Sequence, residues 1–205
     1  ATQIDTVGNI GSTNRGFIKD TSAPLVSINS PTANSVVQNT VAITGTCENG
    51  LTVSISGAGA SASGATACAA GTFSTTVTLT AGDGVKNITA SQTDLTGNTG
   101  NSNRSFIKDT TAPLVSITGP AANTTAQNGV TLIGNCESGI TVLLSGTGLS
   151  APASTACSGG AFSAVITFSS GDGSKNIVVT QIDAIGNSSS DNRSFIKDTA
   201  APLIT

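Results

Sequence analysis

A step of 89 residues constrains this chain more than any other feature in it. The segment Phe-Ile-Lys-Asp-Thr begins at Phe17, at Phe106 and at Phe195. Cys47 lands on Cys136, Cys68 on Cys157, and Pro24 on Pro113 and Pro202, with no insertion or deletion between them. Roughly half of the aligned positions are identical. A repeat of fixed length means one small fold strung along the polypeptide. Two whole repeats fit, 23–111 and 112–200. Residues 1–22 match the C-terminal strands of a preceding repeat, and residues 201–205 match the start of a following one. The sequence contains no Met and is cut out of phase with its own repeats. Both features are expected of a stretch of a longer polypeptide, or of ends completed by strands from neighbouring subunits.

Inside a repeat the apolar residues alternate with period two. Val41, Ile43, Gly45 and Cys47 share one face, as do Leu51, Val53 and Ile55, which is the pattern of half-buried strands. The runs predict seven strands over 25–28, 41–47, 51–56, 65–69, 72–79, 86–93 and 103–108, with Gly, Asn, Ser and Asp between them. No helical period of comparable length competes. The expected fold class is all-β, a tandem of immunoglobulin-like seven-strand β-sandwiches. Repeats meet at Asp-Thr-Xaa-Ala-Pro, seen at Asp20 to Pro24, Asp109 to Pro113 and Asp198 to Pro202. Proline fixes φ and pushes its predecessor toward extended backbone, so these linkers are expected to be short and stiff.

The linker and the Asp-Xaa-Xaa-Gly-Asn turn before the last strand (Asp5 to Asn9, Asp94 to Asn98, Asp183 to Asn187) make the chain resemble the bacterial immunoglobulin-like repeats of large surface adhesins and surface filaments. The resemblance covers the whole chain and implies a secreted rod of many domains on the cell surface. It leaves the ligand open, and the Cys pair departs from the usual pattern of that family.

With Phe as its only aromatic residue, a domain of this size has little bulk to bury. Each repeat carries one Cys pair, Cys47 with Cys68 and Cys136 with Cys157. An intra-repeat disulfide is expected, worth about 3 kcal/mol on the chain-entropy model and suited to an oxidising compartment. A zinc site needs closely spaced cysteines, which are absent, and a catalytic thiol needs a His, of which there is none. Cross-linking of neighbouring chains by the same cysteines stays open.

The sandwich topology is expected to gather acidic residues where repeats join. Asp83 and Asp109 would meet Glu137, Asp183 and Asn187 at one junction, and Asp20 would meet Glu48, Asp94 and Asn98 at the preceding one. Such an oxygen-rich cluster suits calcium, and the resemblance to adhesins points the same way. The competing reading is turn chemistry, with each Asp bonding its own local N–H groups. Asn-Xaa-Ser/Thr triplets begin at Asn87, Asn103, Asn123, Asn187 and Asn192; chance accounts for most of them in so Asn-, Ser- and Thr-rich a chain, and glycosylation, on Ser and Thr as well, stays open. Lys86 and Lys108 are candidates for side-chain isopeptide bonds, a role the disulfides already fill.

Composition narrows the function classes. Only 9% of residues are charged, the net charge is −3, and there is no Trp, Tyr or His. No basic stripe exists to neutralise phosphates, so nucleic acid is not an expected partner. No run of about eighteen apolar residues predicts a membrane span. Sugar stacking lacks its aromatics, and no nucleophile, base and orienter come together, so no enzyme is expected. The leading expectation is a structural extracellular stalk or filament segment whose partners are neighbouring repeats, including self-assembly into a fibre. The alternative is a ligand-binding adhesin segment with calcium-stiffened junctions, in which one repeat should differ in a loop. Residues 58–65 and 147–154 do differ, but in small residues only, Leu149 apart.

Overall fold

The computed structural model describes residues 1–204, and every regular element in that span is a β-strand. A short hairpin comes first, β1 (Thr2–Ile4) against β2 (Ile10–Ser12). Eight strands follow, β3 (Ser27–Ser30), β4 (Val36–Val37), β5 (Thr40–Thr46), β6 (Thr52–Ser56), β7 (Gly64–Ala67), β8 (Thr72–Thr78), β9 (Gly84–Thr93) and β10 (Thr99–Lys108). They form a three-stranded sheet, β3-β5-β8, and a five-stranded sheet, β4-β10-β9-β6-β7.

The second repeat has the same plan. Its strands are β11 (Ser116–Gly119), β12 (Thr125–Ala126), β13 (Gly129–Asn135), β14 (Val142–Ser145), β15 (Ala153–Thr155), β16 (Ala161–Thr167), β17 (Gly173–Ile182) and β18 (Ser188–Lys197). The sheets run β11-β13-β16 and β12-β18-β17-β14-β15. Pairing is antiparallel except that β12 runs parallel to β18. This is the immunoglobulin-like sandwich, with the first edge strand crossing from one sheet to the other.

That crossing accounts for the eighth strand. The two-residue β4 and β12 are too short to show any alternation, so pattern reading passes over them. The last strand also begins earlier than the expected 103, at Thr99, because Thr99, Asn101 and Asn103 are polar residues on its solvent face. Side chains of the last strand hold the first one in place. Arg193 donates to the carbonyls of Ile117 and Pro120, and Asp191 accepts from Ile117 N at 2.7 Å. In the first repeat Arg104 donates to Asn29 O and Pro31 O, and Ser102 Oγ accepts from Ile28 N.

The alternation of β5 buries Val41, Ile43 and Gly45 and exposes Thr40, Ala42, Thr44 and Thr46. Gly45 is required by packing. A Cβ there would lie 1.9 Å from Ser27 O and 2.4 Å from the Phe73 ring, and Gly134 meets Phe162 in the same way. The absent side chain lets a Phe lie across the strand, which recovers bulk in a core poor in aromatics. Phe106 and Phe195 sit fully buried among Ile, Val and Leu side chains of both sheets. Phe168 stacks on Phe195 with ring centroids 6.0 Å apart.

Two compact units result, Ala1–Ser35 with Thr40–Ile107 and Val36–Asn39 with Lys108–Thr205. Residues 14–19, the counterpart of 103–108, carry no strand, and Phe17 is 86% exposed where Phe106 is wholly buried. Residues 201–204 are also without a strand. Of the stretch expected to open a following repeat, Thr205 lies outside the described residues.

Candidate functional site

The chemistry-bearing side chains of each repeat are spent on three tasks, namely stapling the sheets, closing turns and fixing linkers. The staple is the disulfide. Cys47, just past β5, bonds Cys68, just past β7, and Cys136 bonds Cys157, with Cα atoms 5.9 Å apart in both pairs. Both bonds join the three-stranded sheet to the far edge of the five-stranded one, inside one repeat. Among the described residues no cysteine is free, and both pairings are internal to one repeat.

Beside each staple lies a residue that pattern reading misses. Gln92 and Gln181 are 1% and 0% exposed, at core positions of β9 and β17. Gln92 Oε1 accepts from Glu48 N at 2.8 Å, and its Nε2 donates to Glu48 O at 3.1 Å. Gln181 repeats both bonds to Glu137, at 2.8 and 3.0 Å, and adds Ile140 O at 2.9 Å. A buried amide of this kind satisfies a loop backbone that would otherwise lie unpaired against the core. The signal was a Gln at an inward strand position, recurring at Gln3, Gln92 and Gln181 in step with the repeat.

The acidic residues close turns. Asp94 Oδ1 accepts from the backbone N–H groups of Thr96 and Asn98, each at 2.9 Å, and Oδ2 accepts from Asn98 Nδ2 at 2.8 Å. Gly97 takes φ +92° to complete the loop. Asp183 with Asn187 and Asp5 with Asn9 build the same turn. The side-chain bond from Asn98, ahead of the other contacts, holds the Asp94 carboxyl down at about 2. Asp5 is lowered chiefly by Asn9. At Asp183 burial pushes upward, but the bonds from Asn187 and the turn backbone prevail and the carboxyl is lowered.

The linkers are held by the same vocabulary. Asp20, Asp109 and Asp198 each accept, through Oδ1, from the N–H two residues on, at 2.9 Å in all three linkers. Asn98 Nδ2 donates to Asp20 O within the first unit, and Asn187 Nδ2 to Asp109 O within the second, both at 3.3 Å. Also within the second unit, Gln38 Nε2 donates to Asn187 Oδ1 at 3.0 Å. Asp172, in the loop before β17, accepts from Thr199 N at 3.1 Å and from its hydroxyl at 2.8 Å. Those two bonds, backbone first, lower its pKa.

The proposed ligand set is therefore largely occupied. Asp20, Asp94, Asp109, Asp183, Asn98 and Asn187 point oxygens or amides at their own turns and linkers, while Glu48 and Glu137 have exposed side chains. Asp83 has an interaction of its own. Among the described residues, no three Asp, Glu, His or Cys side chains gather into a group that could hold a metal ion. The structure brings Asp94 together with Asn98 and Asp183 with Asn187 inside one turn each, and it sets each turn against a linker residue of the expected set, Asn98 on Asp20 O and Asn187 on Asp109 O.

The lysines are likewise engaged. Lys86 Nζ donates to Ala81 O at 3.0 Å, and Lys175 Nζ donates to Ser170 O at 2.9 Å and to Ser169 Oγ at 3.2 Å. Lys197 Nζ donates to Ser169 O. These amines brace the loop ahead of β9 or β17. No described helix is long and apolar enough to cross a membrane.

No protein-family model and no curated protein matches the chain. Solved structures do. The fibronectin(III)-like modules of Clostridium thermocellum CbhA are 15% identical, with a TM-score of 0.46 over 88% of this chain and 100% of that one. A tetra-tandem repeat from the extending region of a large adhesion protein is 23% identical, with a TM-score of 0.37 over 96% of this chain and 55% of that one. A 1.5-MDa bacterial ice-binding adhesin, solved for its retention at the host cell surface, is 19% identical, with a TM-score of 0.43 over 96% of this chain and 71% of that one.

Proposed function

We propose that these repeats are a spacer, a segment of an extracellular stalk or filament that supplies length and cohesion and leaves recognition to other parts of an assembly. The observation that carries this is the fate of Leu149. It is the one bulky residue that distinguishes the variable loops of the two repeats, and the place where a ligand reader would be sought. Leu149 is 9% exposed and packs in the core with Phe162, Phe168 and Val179. The loop difference is thus spent on filling the second sandwich.

Other features support the same reading. The carboxylates of Asp94, Asp183, Asp20, Asp109 and Asp172 and the amines of Lys86 and Lys175 are engaged by turns, linkers and loops. Intra-repeat disulfides suit an oxidising space outside the cytoplasm, and the Asp-anchored Pro linkers shorten the freedom between repeats. The test is replacement. Exchanging residues 112–200 for an unrelated sandwich of equal length should leave surface attachment by the parent assembly unchanged, whereas deleting them should weaken it as the reach shortens. Loss of attachment on exchange, or from small substitutions at 58–65 or 147–154, would make the chain a ligand reader.

A further inference from the structure

Of the five Asn-Xaa-Ser/Thr triplets, the fold has its own use for four. Asn87-Ile-Thr89 and Asn103-Arg-Ser105 lie on the neighbouring strands β9 and β10 and lock each other. Thr89 Oγ1 donates to Asn103 Oδ1, and Ser105 Oγ donates to Asn87 Oδ1, both at 2.6 Å. The hydroxyl of each triplet is thus spent on the amide of the other. Asn187 is bound into its turn and linker by Asp183, Asp109 and Gln38. Asn192 stands opposite Val178 within the β17–β18 ladder, and the hydroxyl of its triplet, on Ser194, accepts from Asn176 Nδ2.

The fifth triplet, Asn123-Thr124-Thr125, is placed otherwise. Asn123 lies in the loop between β11 and β12, exposed beside the small and equally exposed Ala121 and Ala122. Its backbone is fixed, with φ +61° and its N–H donating to Ser194 O at 2.8 Å. Its side chain is not. Among the described residues neither the Asn123 amide nor the exposed Thr125 hydroxyl has a hydrogen-bond partner.

The first repeat shows how much of this triplet the fold requires. Asn34 makes the same turn, with φ +62° and its N–H on Ser105 O at 2.8 Å, and Asn is among the residues that tolerate left-handed backbone. Two residues further on stands Val36, which forms β4 as Thr125 forms β12. The turn therefore calls for the Asn and not for the Thr. At this loop the complete triplet is confined to the second repeat.

We propose that Asn123 is the acceptor of an N-linked glycan. The amide and the hydroxyl two residues on are free together at this triplet alone, in a loop that a transferase can reach. In the transfer the Asn123 amide nitrogen bonds to the anomeric carbon of an oligosaccharide carried on a polyprenyl diphosphate. The bond from that carbon to the diphosphate oxygen breaks, the amide gives up one proton, and the lipid diphosphate leaves with nothing oxidised or reduced. Intra-repeat disulfides suit the exported environment in which such transfer takes place. A hydrated glycan here stands at the head of β12 and screens that edge of the five-stranded sheet from pairing with another strand. The proposal shares with the spacer reading only the export of the chain. The exchange test of reach does not depend on sugar, so each fails by itself.

The test exports the full chain, with its disulfides formed, from cells whose export membrane carries a transferase specific for Asn-Xaa-Ser/Thr. Intact mass and the masses of proteolytic peptides are the readouts. The native chain should carry one glycan, on the peptide that holds Asn123, and an amidase that cuts the bond between sugar and Asn should return the bare chain with Asp at that position. Thr125→Val, which copies the first repeat, should lose the glycan while keeping the fold by circular dichroism. Val36→Thr should gain a second glycan, on Asn34. A native chain that emerges bare, sugar on Asn87, Asn103, Asn187 or Asn192, a glycan kept by Thr125→Val, or no second glycan on Val36→Thr would each overturn the proposal.

Discussion

Breaking the Cys136–Cys157 disulfide should lower the melting temperature of the second sandwich far more than its two sulfur atoms suggest. The bond joins residues 21 apart in sequence. On the chain-entropy model, closing a loop of that length removes about 3 kcal/mol worth of unfolded-state freedom. A domain of 89 residues has about 4–13 kcal/mol of net stability, so this is between a quarter and most of the total. Each kcal/mol shifts the melting point of so small a domain by about 4–8 °C, which gives about 12–24 °C. Calorimetry on Cys136→Ala/Cys157→Ala should resolve one lowered transition and one near its native position. The mirror variant, Cys47→Ala/Cys68→Ala, should move the other transition. Comparing the native chain before and after reduction separates the cross-link from the packing lost with each buried sulfur. If oxidised and reduced native chains melt within about 3 °C of each other, the premise that a thin core depends on its staple is wrong.

Further outcomes follow from the buried amides and the turns. Gln181→Ala strands Glu137 N and two carbonyls beneath a closed loop; it should cost about 2–4 kcal/mol in chemical denaturation, while an exposed control, Ser190→Ala, should cost under about 0.5 kcal/mol. Asp94, with its pKa at about 2 against the usual 3.8, contributes stability that is complete above about pH 4 and lost as pH falls toward 2. Melting temperature should therefore be flat from about pH 5 to 8 and decline below about 4, and Asn98→Ala, which removes the largest contact to that carboxylate, should shallow the decline. Because the Asp94 carboxylate already accepts four turn hydrogen bonds and that of Asp183 three, removing calcium with a chelator should leave the melting curve unchanged. A fall of several degrees would restore the calcium reading.

Much of this architecture could be read from the residues, and the exceptions have physical causes. Alternation located the strands that bury one face, such as β5 and β8, because a period of two survives any detail of packing. It passed over β4 and β12, which are held by pairing to the last strand and have no pattern of their own. It gave no role to Gln92 and Gln181, since pattern cannot show that a polar group has its partners 44 residues away. The disulfides were visible because identical spacing in both repeats left few pairings.

The acidic residues were legible in part. Topology set Asn98 beside Asp20 and Asn187 beside Asp109, while the use of the Asp94 and Asp183 carboxylates by their own turns is local chemistry that a count of carboxylates does not reveal. Leu149 stood apart as the one large difference between the variable loops, and no pattern in the sequence showed that it fills the core with Phe168.

Stretching the chain between its ends tells whether it is a tandem of separately folding, disulfide-stapled sandwiches. Pulling with an atomic force microscope should give two unfolding events. Each should release about 230 Å of contour before the folded length is subtracted, because the disulfide withholds about 70 Å of a possible 300 Å. Under a reductant each event should lengthen to about 300 Å with no change in their number. A single event, or increments indifferent to reduction, would contradict the account.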